Sequence, residues 1–239
     1  MIKSALITGG NRGIGEAIVR KLHNDYEITF TYNSGSEEAN NLVDELSGQN
    51  KISAICMNLL DIDDIKSKIS EIFTDDTGFD ILIHNAGAMS DTAFYFMSEN
   101  QWDDIIQISL NSFFYLNQAC LPHMISNRWG RIITISSVSG EMGNRGQVNY
   151  SAAKGAVIAA TKALSKEVAR KGILVNSVSP GFIDTQMTKD LEHINIKEMV
   201  PVGRAGKPSE VAGVVGFLAS DDASYINGTV IQVNGGLYS

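Results

Sequence analysis

Residues 3–22 read KSALITGGNRGIGEAIVRKL, and the fold turns on how that stretch divides. Residues 3–8 are apolar enough for a buried strand, residues 14–22 carry apolar side chains at helical spacing, and TGGNRGIG, residues 8–15, lies between them. Glycines at such a junction let the backbone approach a pyrophosphate, and the N-terminus of the helix offers unpaired N–H groups to the anion. The spacing T-G-x-x-x-G-x-G differs from the generic G-x-G-x-x-G, and a glycine-rich turn by itself is also compatible with a mere tight turn. The strand–turn–helix setting is what favours the phosphate reading.

Outward from there, strand-like and helix-like stretches alternate. Strands are expected over 27–32, 52–57, 79–84, 131–137, 173–180 and 229–233, and helices over 37–46, 62–73, 99–124, 150–170 and 209–219. In the third helix Ile62, Ile65, Ile69, Ile72 and Phe73 recur at helical spacing. Strands of continuous hydrophobics separated by helices predict an α/β protein, a seven-stranded parallel sheet doubly wound with helices on both faces. With no internal repeat, low-complexity tract or Pro-rich linker, residues 1–239 read as a single domain. Only 184–207 lacks an assignment; it follows a strand end, where open α/β sheets place ligands, and so reads as a mobile substrate lid.

Length alone leaves one large or two small domains open, and 44% hydrophobic with 19% charged residues suits a soluble globular protein. The net charge of −8, with no run of Lys or Arg, argues against nucleic-acid binding. No apolar run approaches the roughly 20 residues of a membrane span, and the start MIKSALITGG is unlike a secretory signal. Cys56 and Cys120 fall within an expected strand and helix, where buried small hydrophobes are the simplest reading, so a reducing cytoplasm is the expected location.

A cofactor with a free ribose 2′-hydroxyl calls for Asp or Glu near the end of the second strand. That region reads TFTYNSGSEE, with Thr31, Tyr32, Asn33 and Ser34 where the acid would stand, while Arg12 in the glycine loop can meet a 2′-phosphate or remain a solvated charge. The pattern favours NADPH over NADH. In GNRGQVNYSAAKGAVIAATKAL, residues 143–164, Tyr150 and Lys154 are four apart and project from one helix face. A free tyrosine has a pKa of about 10, and a neighbouring ammonium is expected to lower it. Such a tyrosine can deliver a proton to a carbonyl oxygen as hydride reaches the carbon, with Ser137 at the end of the fifth strand bonding the same oxygen. Taken alone, a Tyr/Lys pair at this spacing is equally an ordinary surface pair.

In combination and in this order, TGGNRGIG, NAG (85–87), ISS ending at Ser137, YSAAK (150–154) and SPGFIDT (179–185) resemble the short-chain dehydrogenase/reductase family over nearly the whole chain. The resemblance implies a Rossmann-like sheet, a nicotinamide cofactor, and Ser137, Tyr150 and Lys154 as catalytic residues. It further implies cofactor contacts from Gly9, Asn11, Arg12, Gly13, Ile14, Gly15, Asn58, Leu59, Asn85, Ala86, Gly87, Tyr150, Lys154, Pro180, Gly181, Ile183 and Thr185. GRIITISSVSG, MGNRGQVNYSAAK, PGFIDTQMT and VNGGLYS are most similar to the 3-oxoacyl-[acyl-carrier-protein] reductases, a subgroup that implies NADPH (NADP), a homotetramer, and a substrate thioester on acyl carrier protein or CoA. The same chemistry in an aryl-polyene or polyketide pathway, or on another small ketone or alcohol, is the alternative; a non-catalytic NADPH-binding regulator is a third.

One position departs from the family, which carries a catalytic Asn seven residues after a Trp. Here Ser109 stands seven after Trp102, and Asn111 lies roughly 200° further round the helix. In the family that residue's backbone carbonyl holds a water linked to the lysine, so Ser109 keeps the carbonyl and shortens the side chain. The expectation is that activity survives. Elsewhere, His23, His84, His123 and His193 show no metal-ligand spacing, so no metal is expected. His84, next to NAG, is a candidate for tuning the cofactor pocket, and Met187, Leu191 and Met199 are candidates for an acyl pocket or for core. Carrier-protein reductases have basic residues at the positions of Arg128 and Lys171; with Arg131 and Arg170 these are the candidate docking charges, or ordinary solvated ones.

Overall fold

In the computed structural model, which describes residues 2–48, 50–73, 78–186 and 195–239, strand β1 (Ser4–Ile7) runs into the glycine turn and helix α1 (Gly13–Leu22) leaves it. The chain continues through β2 (Glu27–Tyr32), α2 (Ser36–Leu46), β3 (Ile52–Cys56), α3 (Ile62–Ile72) and β4 (Ile81–His84). Then follow α4 (Glu99–Ile106), α5 (Ser112–Asn127), β5 (Gly130–Ile135), α6 (Val138–Met142), α7 (Val148–Val168), β6 (Ile173–Pro180), α8 (Ile196–Met199), α9 (Pro208–Ala219) and β7 (Val230–Val233). The strands form one parallel seven-stranded sheet in the order β3-β2-β1-β4-β5-β6-β7, a Rossmann-like α/β fold.

Alternation along the strands divides the apolar residues between two cores. Ala5, Ile7, Ile81, Ile83, Ile133 and Val178 pack on one side with Ile18 of α1, Leu42 of α2 and Val211, Val215 and Leu218 of α9. Leu6, Leu82, Ile132 and Val175 face the other side, against Ile65 of α3, Leu116, Cys120 and Met124 of α5, and Val168 of α7. Because both faces are covered, the strands read as continuous apolar runs. Two helix starts follow from local chemistry. The Asp61 carboxylate accepts from the N–H of Asp63 at 2.9 Å and of Asp64 at 3.2 Å at the head of α3, and Ser98 and Gln101 form a reciprocal capping box at the head of α4.

The structure departs from expectation at three places. The helix expected over 99–124 is interrupted by a π-helical turn, Gln107–Asn111. A short helix, α6, fills the stretch between the fifth strand and the tyrosine helix, which begins at Val148 rather than 150. Cys120 is buried as expected, but Cys56 is exposed, because β3 is the edge strand and Cys56 is its last residue.

Ile83 lies in an interior strand with no exposure. Ile83→Ala is expected to lower the unfolding free energy by about 2–5 kcal/mol, through lost transfer energy and the cavity left behind. Urea denaturation of the two proteins measures it.

Candidate active site

The strand order reverses between β1 and β4: from β1 the chain winds outward to β2 and β3, and from β4 it winds the other way. The crevice at such a reversal is where open sheets bind ligands. Here Thr8 and Asn85 join its two sides. The Thr8 hydroxyl accepts from the N–H groups of Asn85 and Ala86, both at 3.0 Å, and Asn85 Nδ2 donates to the carbonyls of Thr8 at 3.0 Å and Gly9 at 2.9 Å. Behind this staple lies a cavity of about 850 Å³. All the residues expected to touch a cofactor, Gly9 through Thr185, line it, together with Ser137, Tyr150 and Lys154; Ser109 does not.

The glycine loop is shaped for an anion. Arg12 is the N-cap of α1 and no side chain caps that helix, so its first-turn N–H groups have no intrahelical partner. A Cβ on Gly15 would collide with the carbonyl oxygen of Gly9, so only glycine allows the loop to fold back this closely. Asn11 Nδ2 is committed to the carbonyls of Ser34 at 2.8 Å and Gly35 at 3.2 Å, tying the loop to the end of β2. At that end Thr31, Tyr32, Asn33 and Ser34 line the cavity and none is acidic, while Arg12 is exposed beside them. This donor set fits a dinucleotide bearing a 2′-phosphate.

Ser137 caps α6, accepting from the N–H of Ser139 at 3.2 Å, and so stands at the mouth of β5. Tyr150 and Lys154 project from the first turns of α7. Lys154 Nζ is buried, donates to the Ile135 carbonyl at 2.8 Å, and lies 5.7 Å from the centre of the Tyr150 ring. Burial pushes the Lys154 ammonium down to about 8. The sequence led us to expect the Tyr150 phenol to be lowered by this lysine. Instead burial raises it, the Asp91 carboxylate adds to the rise, and the Ser137 hydroxyl is the group that favours the phenolate. The site therefore holds a neutral phenol and a buried ammonium at neutral pH.

Ser109 sits in the π turn, 6% exposed, with no hydrogen-bond partner for its Oγ among the described residues. In this turn the Ser112 N–H reaches back five residues to the Gln107 carbonyl, and the Ile108 carbonyl accepts the Ser112 hydroxyl instead, at 2.5 Å. Asn111 is exposed and donates to Gln107 Oε1 at 2.7 Å, away from the cavity.

The remaining candidates separate. His84 does not line the cavity. It packs on Phe113 at 5.0 Å, and Nε2 accepts from Asn117 Nδ2 at 3.0 Å. Burial, and then the Lys154 ammonium, hold it down at about 3, so it stays neutral. No group of His, Cys, Asp and Glu among the described residues could hold a metal. Met199 lines the cavity, whereas Met187, Leu191, His193 and the centre of the expected lid lie outside the described residues. The neck of that segment is closed by Asp184 N–H to the Gly206 carbonyl and Gly206 N–H to the Phe182 carbonyl, both 2.8 Å. Arg131 is buried within β5, over the Trp129 ring at 4.3 Å and 3.4 Å from Asp221, so it is no docking charge. Arg128, Arg170 and Lys171 are exposed, but they precede β5 and β6, at the end of the strands opposite to Ser137.

Two side chains without an assigned role in the sequence hold the site. Asn149, fully buried, donates to the carbonyls of Ser90 at 3.2 Å and Gln101 at 2.8 Å and accepts the Tyr150 N–H at 2.8 Å. Gln147 donates to Asp91 at 2.7 Å and accepts from Ser139 and Asn144, both at 3.0 Å. Their only signal in sequence is two amides one and three residues before Tyr150.

A family model described as Enoyl-(Acyl carrier protein) reductase matches residues 9–238. The chain is 44% identical over 241 residues to the 3-oxoacyl-[acyl-carrier-protein] reductase of Aquifex aeolicus, covering 99% of this chain and 97% of that one. Proteins of the same name from Buchnera aphidicola and Staphylococcus aureus are 43% and 41% identical, over 99% and 100% of this chain and 97% and 99% of theirs.

Lys154 loses its proton as pH rises through about 8. Any turnover that needs the ammonium is expected to fall with kcat/KM above that pH and to stay level below it, down to about pH 6; a pH–rate profile measures this. Because the Ser109 hydroxyl is buried and unpaired, Ser109→Ala is expected to leave thermal stability unchanged or slightly higher. Ser109→Asn is expected to change kcat by less than about tenfold, since the pocket's own donors are untouched; a hundredfold gain would show that serine is inadequate there.

Proposed function

The chain belongs to the short-chain dehydrogenase/reductase family, and from that premise we propose that it is an NADPH-dependent 3-oxoacyl-thioester reductase of fatty-acid-type synthesis, with the acyl group borne on acyl carrier protein. The observation that carries this reading is the pair of hydroxyls, Ser137 and Tyr150, lining one cavity with the buried Lys154 ammonium behind them.

Reduction of a ketone adds hydride to carbon and a proton to oxygen. Bound NADPH supplies the hydride; Gly9, Arg12 to Gly15, Asn58, Leu59, Asn85 to Gly87, Pro180, Gly181, Ile183 and Thr185 are the residues that would hold it. The Ser137 hydroxyl holds the ketone oxygen and polarises the carbonyl. Tyr150, kept neutral by its burial, has a proton to give and passes it to that oxygen. Lys154, fixed on the Ile135 carbonyl, offsets the negative charge left on the phenolate.

The family description also covers reduction of a carbon–carbon double bond. There the proton ends on carbon, and the carbon that receives hydride bears no oxygen for two hydroxyls to hold. Ketone reduction is the better match to this site.

The whole chain acts as one unit, in the cytoplasm; no helix among the described residues is long and apolar enough to cross a membrane. A homotetramer gives cover to apolar side chains that one chain leaves open, Phe94, Tyr95, Phe96 and Phe114, of which Tyr95 is 90% exposed. Docking of a carrier at Arg128 and Lys171 would set it at the far end of β5 from the cavity of the same chain, about 17 Å along the strand at ~3.3 Å per residue. That favours delivery from the cavity mouth or to a neighbouring subunit.

NADPH oxidation is expected with an acetoacetyl thioester and not with a crotonyl thioester. Tyr150→Phe is expected to lower kcat by at least about 100-fold while NADPH binding is kept. Initial rates and NADPH fluorescence titration measure both, and turnover of the crotonyl thioester alone would overturn the assignment.

A further inference from the structure

Among the described residues four charged side chains line the cavity: Arg12, Asp91, Arg145 and Lys154. Three have a task. Lys154 is bonded to the Ile135 carbonyl, Asp91 accepts from Gln147, and Arg12 stands in the glycine loop beside Asn33 and Ser34. Arg145 has none. It is exposed and has no hydrogen-bond or ion-pair partner among the described residues.

Its mounting, by contrast, is firm. Arg145 stands between α6 and α7 in GNRG, flanked by Gly143 at φ 75° and Gly146 at φ 82°, conformations that other residues rarely adopt. Gly143 N–H bonds the Ser139 carbonyl at 3.0 Å, Gln147 N–H the Asn144 carbonyl at 3.1 Å, and Thr92 N–H the Gly146 carbonyl at 2.8 Å. Asn144 Nδ2 adds a bond to Gln147 Oε1 at 3.0 Å. The loop is thus tied to both neighbouring walls, and the wall runs from Tyr150 through Gln147 and Asn144 to Arg145 at the rim. A cation held on a pinned loop five residues before Tyr150, outside the glycine loop, fits an anion carried by the substrate rather than by the cofactor.

We propose that Arg145 binds the phosphate of a phosphopantetheine thioester and selects substrates that carry it. This rests on the reductase reading above, in which the substrate is such a thioester. The planar guanidinium can hold two phosphate oxygens at once, whereas Asp91, the only carboxylate on the cavity wall among the described residues, is already engaged. The phosphate is common to carrier-protein and CoA thioesters. The chain's net charge of −8 makes a local cation at the mouth the more needed for either, since both substrates are anionic.

The test compares acetoacetyl thioesters of pantetheine, 4′-phosphopantetheine, CoA and acyl carrier protein, with the native chain, Arg145→Ala and Arg145→Lys. For the native chain KM is expected to be about tenfold lower with phosphopantetheine than with pantetheine. In Arg145→Ala that difference disappears, while kcat and KM with the pantetheine thioester and KM for NADPH stay as they were. Arg145→Lys restores part of the difference. A loss confined to the carrier-protein thioester would mean that Arg145 meets the carrier's surface, and a loss confined to CoA that it meets the nucleotide phosphates; either overturns the proposal. Equal KM for the phosphorylated and unphosphorylated arms in the native chain overturns it too, leaving the reductase reading standing. No turnover of any thioester would overturn both.

Discussion

Everything that this protein places in its crevice depends on two parallel strands being held together where the chain parts company. Thr8 and Gly9, just past the end of β1, and Asn85 and Ala86, just past the end of β4, share four hydrogen bonds across the point where the strand order reverses. The bonds use backbone groups that the sheet itself no longer pairs. Left unpaired in a half-buried crevice, those groups would each be costly. With them satisfied, the glycine loop and the 85–87 turn become two fixed walls, and a cavity can lie between them without collapsing. Asn85 has in this way a structural duty as well as a place on the cavity wall.

The electrostatics follow from the same enclosure. Burial acts in opposite senses on the two titrating groups of α7, raising the phenol of Tyr150 and lowering the ammonium of Lys154. Each is moved toward its uncharged form, but the lysine, lowered only to about 8, keeps its charge at neutral pH. Asp91 bears on Tyr150 through its charge, and Gln147 holds Asp91 in place. The acid of the site is thus set by walls contributed from β4, β5 and the loop before α7, and not by the four-residue spacing of Tyr150 and Lys154 alone.

Much of this was legible before any coordinates. The strands carry apolar runs because both of their faces are covered, so periodicity marked all seven, and TGGNRGIG, NAG and YSAAK marked the cavity's corners. What the pattern hid has physical causes. The π turn at Gln107–Asn111 needs a single residue of slack, which apolar spacing over a long helix does not register. Cys56 reads as core until β3 is known to be the edge. Arg131 reads as a surface charge until Trp129 and Asp221 are seen to enclose it.

By itself, then, the sequence determined the class of fold, the order of elements and the residues of the crevice, because helix and strand periods and glycine junctions are local properties that neighbouring residues express together. Only the tertiary structure decided which way the tyrosine titrates, where Ser109 points and which charges stand free. Those depend on burial and on partners distant in the chain, such as Ile135 for Lys154, Ser90 and Gln101 for Asn149, and Asp91 for Gln147. A desolvation cost or a hydrogen bond between residues 19 to 59 positions apart has no signature in the order of the letters.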